Sequence, residues 1–463
     1  MRLYGRLPMP AGMRRFLREG LKGWHPSLFD WLSKTINSQP RLPIGGDAPG
    51  LADVIERPEF RVRLWRLVRA VRAHADQFGP VTHLIALPFF ATGGSEATAA
   101  SFARTICSDG KSSVLMIATD RPYSGKRLPA PPGALMLNLW DYFTLEDEHT
   151  IDAVVFAVLR AIAPQSLHII NSSACWRLVV KHGARVRHVS RLYGSIFAIQ
   201  VNTQTGQREG YAADYLKGAL PYLDALLSDN ASFFKLSEQA FGSLGDPDKL
   251  VTVYNAAPVW SEKIVHHTDT RLAELTRPIA PMDRLQVLWA GRFDREKRPD
   301  LLIAAAKARP DIDFHVYGSV IVDVNSEFST TDLANVHIHG PFSSAADVAG
   351  ARLHHVMMFT SLWEGMPNVL LEFGSLGVPI VANVLGGVGE LIDDTTGFPL
   401  SSSPSVAEYL AAFDVIRTDP ATAVARARRL REKIAARHTR ANFETAVRRI
   451  PGYLADTPPA GGT

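Results

Sequence analysis

The stretch that decides the fold is HVMMFTSLWEGMPNVLLE, which covers residues 355–372. It begins with an apolar run, His355–Thr360, whose length is typical of a buried β-strand. Pro367 then stands where a helix would begin, a position that suits proline because its fixed φ matches the first helical turn. The pattern therefore predicts a strand, a loop and a helix over Val369–Leu376, which is the repeating unit of a parallel α/β sheet.

Alternating apolar runs and helical stretches continue on both sides of this unit. They predict an α/β protein with two Rossmann-like, doubly wound domains that face a cleft. We expect the first domain over residues 80–258 and the second over 284–438, around a proline-containing linker at Ala256–Asp283, followed by a C-terminal helix over 439–455 and a flexible tail over 456–463. The predicted strands are Val81–Pro88, Ser113–Thr119, Leu135–Leu139, Leu167–Asn171, Leu192–Ile199, Ala225–Ser228, Leu250–Tyr254, Leu285–Ala290, Phe314–Tyr317, Val336–His339, His355–Thr360 and Pro379–Ala382.

Residues 1–79 are expected to form a basic helical extension before the first domain. Within it, Arg61–His74 has the spacing of an amphipathic helix, with arginines between the apolar positions. The apolar positions are Phe60, Leu64, Leu67, Val68 and Val71, and the arginines are Arg61, Arg63, Arg66, Arg69 and Arg72. Two interpretations remain open: the surface contacts anionic lipid, or the helix docks on the body with its arginines in solvent.

Composition excludes several classes of protein. Of 463 residues, 46% are hydrophobic and 21% are charged, as in a globular chain with sizeable cores. The 50 Lys and Arg residues against 46 Asp and Glu give a net charge of only +4, so we expect no nucleic-acid partner. Two cysteines argue against a disulfide framework. Neither a membrane-spanning run nor a signal peptide is visible, so we expect a cytoplasmic protein, with the inner face of the membrane as its alternative position.

Two carboxylates, Glu364 and Glu372, flank the predicted helix start. Their eight-residue separation corresponds to roughly 12 Å along a helix, about the length of a sugar diphosphate. Free backbone N–H groups and the positive end of the helix dipole lie between them. This arrangement suits a nucleotide sugar, with one carboxylate at the sugar hydroxyls, the other at the ribose diol and the diphosphate at the helix start. The candidate donor-binding residues here are Ser361, Gly365, Met366, Pro367, Asn368, Val369 and Glu372.

A second candidate element follows the predicted strand Leu285–Ala290. It contains a turn glycine, Gly291, and the cations Arg292 and Lys297. A guanidinium and an ammonium group at the carboxyl end of a strand can neutralise charge on a departing diphosphate without a metal.

Two further glycine-rich loops are candidates for donor binding. Gly386 and Gly387 follow the predicted strand at 379–382, and Gly93 and Gly94 lie between the first predicted strand and the next helix. Glycine permits close approach of the backbone to a ligand. We expect no metal ion and no cofactor; Asp311-Ile-Asp313 has the spacing of a metal-binding D-x-D motif but lies between a helix and a strand start.

These motifs resemble those of the family-4 retaining glycosyltransferases, which have the GT-B fold. Glu364–Glu372 matches the E-x7-E pattern of that family. The loops at Gly291–Lys297, Gly386–Glu390 and Gly93–Glu96 are similar to its phosphate-binding and glycine-rich loops. The resemblance is dense over 285–400, thinner over 80–258 and absent over 1–79.

The resemblance implies a role for each of the charged residues. Arg292 and Lys297 would bind the diphosphate, and Glu364 would contact the transferred sugar and support the positively charged transition state. Glu372 would bind the ribose. It also implies retention of anomeric configuration, no requirement for a metal, and a C-terminal helix near Phe443–Tyr453 that crosses back to the first domain.

One departure from the family concerns the first domain. Many members place a histidine after its fourth or fifth strand, facing the donor sugar. Here the loop reads Asn171-Ser172-Ser173, and His168 lies inside the predicted strand. The detail of the sugar contact, and with it the identity of the sugar, is therefore not given by the resemblance.

The sequence as a whole predicts a retaining glycosyltransferase with Glu364, Arg292 and Lys297 as catalytic residues. It would move a sugar from a nucleotide-sugar donor to a glycan or lipid-linked acceptor, in bacterial surface polysaccharide synthesis. The alternative is a non-catalytic nucleotide-sugar or glycan-binding protein on the same fold, which the missing histidine favours. An NAD-dependent enzyme is disfavoured, because the loop after the first predicted strand does not fit G-x-G-x-x-G.

Overall fold

In the computed structural model the chain forms two parallel β-sheets, one in each half. The structure describes residues 58–122, 129–202, 204–277, 279–280, 283–318 and 333–454. The predicted extension before residue 58 and the predicted tail after residue 454 lie outside the described residues. No described helix is both long enough and apolar enough to cross a bilayer.

The first half contains a seven-stranded sheet and a short hairpin. Its strands are β1 (Val81–Leu87), β2 (Ser113–Ala118), β3 (Ala134–Asn138), β4 (Ser166–Ile170), β5 (Arg191–Ser195), β6 (Gln200–Val201), β7 (Arg208–Glu209), β8 (Ala225–Ser228) and β9 (Leu250–Thr252). Its helices are α1 (Pro58–Phe78), α2 (Gly94–Ile106), α3 (Glu148–Ile162), α4 (Ser173–Arg187), α5 (Gly210–Ala219) and α6 (Ser232–Phe241). The sheet order is β3-β2-β1-β4-β5-β8-β9, and all its pairings are parallel.

The second half repeats this plan with six strands. They are β10 (Leu285–Ala290), β11 (Ile312–Tyr317), β12 (Val336–Gly340), β13 (Val356–Phe359), β14 (Ile380–Asn383) and β15 (Phe398–Leu400), in the parallel order β12-β11-β10-β13-β14-β15. The remaining helices are α7 (Glu262–Glu274), α8 (Pro299–Ala308), α9 (Ala345–Ala351), α10 (Asn368–Ser375), α11 (Val388–Leu391), α12 (Val406–Thr418), α13 (Pro420–Arg437) and α14 (Arg440–Arg449).

In both sheets the strand order reverses beside the first strand, as it does in doubly wound folds. Ligands of such folds bind at the carboxyl ends of the strands near that reversal. In the first sheet the reversal lies between β1 and β4, and in the second it lies between β10 and β13. The loops that follow these four strands are therefore the places where the fold itself offers a binding site.

The apolar runs of the sequence become strands because both faces of each sheet are covered. All six residues of β2 are buried. In β10, Val287 and Trp289 belong to one apolar core, while Leu288 and Ala290 belong to another on the opposite face. Such strands need continuous apolar runs rather than alternation, which is why their sequence signal was clear.

The predicted strands agree with those observed to within one to four residues at each end, which confirms the α/β class and the doubly wound sheets. The largest discrepancy among them is the strand predicted at Leu192–Ile199, which ends at Ser195. The linker prediction is wrong in part, since Ala256–Asp283 contains the helix α7. Leu272 in this helix is buried in an apolar cluster with Leu275, Val424 and Ala427, so the segment packs on the second domain.

The two ends of the described chain pack on the body. Phe60, Leu67, Val68 and Val71 of α1 are buried, as expected for a docked helix. At the other end, α14 and the turn after it lie in the core of the first sheet. Tyr453 accepts a hydrogen bond through its carbonyl from His83 Nε2 at 2.8 Å, so the C-terminal segment returns to the first domain.

Candidate active site

The loop after β10 brings two cations to the carboxyl end of the second sheet. Asp294 begins a tight turn, with its carboxylate accepting from the Lys297 backbone N–H at 3.2 Å. Arg298 ends that turn with a φ of 52°, a left-handed conformation that is uncommon outside glycine. The loop is thereby folded back on itself, and Lys297 points toward the neighbouring strand.

Lys297 contacts two carboxylates. Its Nζ lies 2.5 Å from Glu364 Oε1 and 2.9 Å from Glu296 Oε1. Burial alone would lower the pKa of Lys297, but the two carboxylates outweigh it and hold that pKa above its usual value. The ammonium group is therefore charged, and it is held at the centre of the predicted site.

Arg292 is the outer of the two cations. Its guanidinium group pairs with Asp294 Oδ2 and with Glu296 Oε2, both at 3.1 Å, and its side chain is 53% exposed against 20% for Lys297. Glu296 therefore joins both cations through its two oxygens. A bound diphosphate would compete with this carboxylate for both positive charges.

The loop after β13 is tied to the cation loop by backbone as well as by side chains. Thr360 donates to the Lys297 carbonyl at 2.6 Å, and the Leu362 N–H donates to the Glu296 carbonyl at 2.8 Å. Ser361 Oγ donates to Glu364 Oε1 at 2.7 Å. Residues predicted from two separate motifs are thus assembled into one site.

Helix α10 starts immediately after this loop. Pro367 occupies the position before its first residue, Asn368, and Met366 is buried while Val369 is partly buried. Glu372 lies on α10, where burial raises the pKa of its carboxyl group to about 7. No described residue donates a hydrogen bond to that carboxylate, so its oxygens remain available to a ligand.

The glycines of the second domain pack against the Glu364–Gly365 turn. A Cβ on Gly386, whose φ is +49°, would overlap the Glu364 carbonyl oxygen, and one on Gly387 would lie 2.6 Å from the Gly365 carbonyl oxygen. Gly291 is less confined, since its nearest neighbour would be Trp289 at 3.4 Å. The Gly386–Gly387 loop therefore supports the shape of the turn that carries Glu364.

The first-domain glycine loop faces the same helix start. A Cβ on Gly94 would lie 3.4 Å from Asn368 Nδ2. Glu96, one turn further, is buried, and burial raises the pKa of its carboxyl group above the usual value. The backbone N–H groups of the same loop and the charge of Arg292 oppose part of this rise. Gly93 and Gly94 are exposed, so this loop lies at the open side of the site.

His168 and Asn171, in and after β4, both make hydrogen bonds within the first domain and the C-terminal segment. His168 is fully buried and its ring nitrogens lie 2.8 Å from Tyr453 Oη and Ser195 Oγ. Asn171 has a left-handed φ of 56° and donates to Ser95 Oγ at 2.8 Å. His168 thus holds the C-terminal segment in place.

Both aspartates of the D-x-D sequence are engaged in ion pairs. Asp311 pairs with Arg309 at 2.8 Å, and Asp313 pairs with Arg284 at 2.8 Å. Among the described residues, no group of three or more His, Cys, Asp or Glu side chains has the geometry of a metal site.

Sequence reasoning missed two first-domain residues beside Glu364. Asp229 follows β8, and its Oδ1 accepts from the Met366 N–H at 3.1 Å. Asn255 follows β9, and its Nδ2 donates to Asn368 Oδ1 at 3.2 Å. Both stand at the carboxyl end of a strand, which is the signal that could have marked them.

Glu390, part of the second glycine loop, joins the two domains. One of its oxygens accepts from the Ser232 N–H at 2.8 Å and the other from Tyr254 Oη at 2.7 Å. Arg437 lies over the Tyr254 ring at 4.5 Å. The two halves therefore meet through hydrogen bonds directly behind the candidate site.

This architecture, two doubly wound sheets with a site between them, is the GT-B fold. Solved structures similar to the chain include Anabaena HepE in complex with UDP and glucose, with a TM-score of 0.60, 13% identity and coverage of 81% of this chain and 100% of that one. Another is sucrose-phosphate synthase from Thermosynechococcus elongatus, with a TM-score of 0.60, 16% identity and coverage of 80% and 97%. At these identities the likeness concerns the fold.

The second domain also matches by sequence. Residues 284–416 match the family described as "Glycosyl transferases group 1". D-inositol 3-phosphate glycosyltransferase of Arthrobacter sp. (strain FB24) is 31% identical over 153 residues, which cover 31% of this chain and 36% of that protein. Its counterpart in Paenarthrobacter aurescens is 32% identical over 168 residues, covering 32% and 41%. The chain thus spans well under half the length of these curated relatives.

Proposed function

We propose that the protein is a retaining glycosyltransferase that uses a nucleoside-diphosphate sugar as donor. The observation that carries the proposal is the contact between Lys297 and Glu364 at the start of α10. It unites a cation for the diphosphate with a carboxylate for the sugar, in the domain that matches the glycosyltransferase family. HepE, which shares the fold, is in complex with UDP, and UDP-sugars are therefore the first donors to test.

In the proposed reaction the bond between the anomeric carbon of the sugar and the β-phosphate oxygen breaks. An acceptor hydroxyl attacks the same face, and its proton passes to the departing phosphate oxygen, so that configuration is retained. Lys297 and Arg292 stabilise the negative charge that develops on the diphosphate. In this proposal Glu364 supports positive charge on the sugar, and Glu372 binds the ribose diol. No metal enters this scheme.

The ion pairs of the candidate site support this division of roles. A diphosphate would take over Lys297 and Arg292 from Glu296, which now pairs with both. Charge-assisted hydrogen bonds to phosphate are among the strongest that proteins form, so a diphosphate can compete with the Glu296 carboxylate. Once Lys297 turns to the phosphate, Glu364 is left to interact with the sugar.

Release of nucleoside diphosphate tests the proposal. The full chain is incubated with UDP-, GDP-, ADP- and dTDP-glucose, with and without a mixture of lipid-linked and soluble glycan acceptors, and the free nucleotide is measured. We expect slow hydrolysis of one donor and faster release with an acceptor. Tight binding of a donor without any turnover, under all acceptor conditions, would support the non-catalytic alternative.

The acceptor is proposed to be a glycan or lipid-linked molecule of bacterial surface polysaccharide synthesis, at the inner face of the membrane. The exposed arginines of α1 support a location near anionic lipid. Its apolar face is buried, while Arg61, Arg66 and Arg69 are exposed on the opposite side. A contact with lipid would therefore be electrostatic, without insertion of this helix.

Vesicle flotation tests this surface. Reversing Arg61, Arg66 and Arg69 to Glu should abolish flotation with vesicles that contain phosphatidylglycerol. The matched control reverses Lys217, Lys307 and Arg428, which are exposed on other helices and change the net charge equally. Equal loss in both variants would show that only net charge matters, and undiminished flotation of the first would exclude α1 as the contact.

A further inference from the structure

Asp229 is a buried carboxylate of the first domain that reaches the catalytic turn of the second. Asp229 is only 6% exposed. Besides the Met366 N–H, its Oδ1 accepts from Asn230 Nδ2 at 2.9 Å, and its Oδ2 accepts from Asn255 Nδ2 at 3.3 Å. Each oxygen is thus engaged, and one of the donors is a backbone N–H two residues beyond Glu364.

Gly365 makes this contact possible. A Cβ on Gly365 would lie 2.6 Å from Asp229 Oδ1 and 2.8 Å from Phe197 Cβ. Because Gly365 has no side chain, Asp229 and Phe197 of the first domain can lie directly against its backbone. The turn between Glu364 and Met366 is therefore clamped from outside its own domain.

Asn255 extends the clamp to the helix start. Its amide donates both to Asp229 and to Asn368 Oδ1. Its carbonyl oxygen Oδ1 accepts from Thr98 on α2 at 2.9 Å. Three elements of the first domain, the ends of β8 and β9 and the helix α2, thus converge on the residues that open α10.

The position of Asp229 is electrostatically unfavourable for a carboxylate. Burial raises the pKa of Asp229 to about 7, with Glu364 adding to the rise, while Asn230 and the Met366 N–H oppose it. A carboxylate kept beside another carboxylate in a buried place is costly, and an apolar residue would avoid that cost.

On the basis of the proposed function, we propose that Asp229, aided by Asn255, is a positioning residue that sets the Glu364–Met366 turn for sugar transfer. It acts through the Met366 N–H and does not itself touch the donor. The first domain thereby orients the catalytic carboxylate of the second, so that the turn has its active shape only when the two domains are together.

Kinetics of Asp229→Ala, Glu364→Gln and the double variant test this role. Nucleoside-diphosphate release from the donor preferred by the wild type is measured well below the melting temperature. Misplacement by about 1 Å can cost on the order of 100-fold. We expect kcat to fall about 10- to 100-fold in Asp229→Ala with a smaller change in KM, and little further loss when it is added to Glu364→Gln.

Two further variants keep the test decisive. Asp229→Asn, which retains an oxygen for the Met366 N–H, should recover part of kcat, and Asn255→Ala replaces Asp229→Ala if the latter does not fold. Multiplicative losses in the double variant, or wild-type kcat in folded Asp229→Ala or Asn255→Ala, would overturn the positioning role. If the wild type releases nucleotide from no donor, the proposed function itself is wrong, which is a separate outcome.

Discussion

The carboxyl ends of the two sheets differ in what their side chains do. In the first sheet the side chains that follow β2 and β4 bond to one another, as Thr119 does with Ser172 at 2.7 Å and Asp120 with the N–H of Ser173 at 2.8 Å. In the second sheet they are cations and carboxylates, led by Lys297 and Glu364, that a diphosphate could rearrange. The same topology therefore carries a hydrogen-bonded network after β2 and β4 and a cluster of charged side chains after β10 and β13.

The largest expected effect comes from removing the inner cation. Lys297→Met should reduce nucleoside-diphosphate release by about 100- to 1,000-fold, because the developing charge on the diphosphate loses its buried partner. Lys307→Ala, on an exposed position of α8, is the matched control and should keep the wild-type rate. Steady-state nucleotide release measures both rates. Similar rates in the two variants would contradict a role for the Lys297 charge in the reaction.

A smaller loss is expected from disturbing the support of the Glu364 turn. Gly386→Ala introduces a Cβ that overlaps the Glu364 carbonyl and places alanine at a φ of +49°. Strain of this kind costs about 1–3 kcal/mol, and kcat should fall about 10-fold. Gly350→Ala is the control, since its Cβ would meet nothing within 4 Å. Equal melting temperatures and rates in the two variants would contradict the packing argument.

Nucleotide affinity should depend on pH through Glu372. Burial raises the pKa of this carboxyl group to about 7, above its ordinary value of 4.5. Between pH 4.5 and pH 7 the folded protein therefore binds more protons than the unfolded chain. The stability of the folded state consequently falls as the pH rises through this range. Ribose hydroxyls donate hydrogen bonds, so their binding would favour the ionised form of the Glu372 carboxylate. UDP should therefore bind several-fold more tightly at pH 8 than at pH 6.

Calorimetry of UDP binding with Glu372→Gln isolates this effect from titration of the phosphate itself. The variant should lose the part of the pH dependence that belongs to the carboxylate. The variant should also be more stable relative to the wild type above pH 7 than it is at pH 5. We expect this stability difference to grow by about 1–3 kcal/mol between the two pH values. An unchanged pH profile of UDP affinity would mean that Glu372 does not contact the ribose.

The smallest effect on activity is expected at Thr119, which follows β2 in the first sheet. Thr119→Val removes a buried hydroxyl that bonds to Ser172 and to the Leu87 carbonyl. Thermal unfolding should show a loss of about 1–2 kcal/mol, while kcat at a temperature where the variant is folded should change less than about threefold. A large loss of kcat with little loss of stability would show that Thr119 takes part in the reaction, and it would weaken the contrast between the two sheets.

Much of the second half could be predicted from sequence because its signals are local. The strands are continuous apolar runs, and Glu364, Pro367 and Glu372 lie within one βα unit. The helix α7 was missed because prolines on both sides of it suggested a linker, and propensity cannot reveal that Leu272 packs against α13. Asp229 could not be placed, since its contact with Met366 spans 137 positions and depends on how the domains meet.

Glu296 gives the most direct test of the proposed diphosphate site, since it pairs with both Arg292 and Lys297. The measurement is calorimetric titration of UDP, or of whichever nucleoside diphosphate the wild type binds, into Glu296→Gln and Lys297→Met. The account predicts opposite signs: several-fold tighter binding in Glu296→Gln and more than about 10-fold weaker binding in Lys297→Met. Wild-type affinity in both variants, or weaker binding in Glu296→Gln alone, would contradict it.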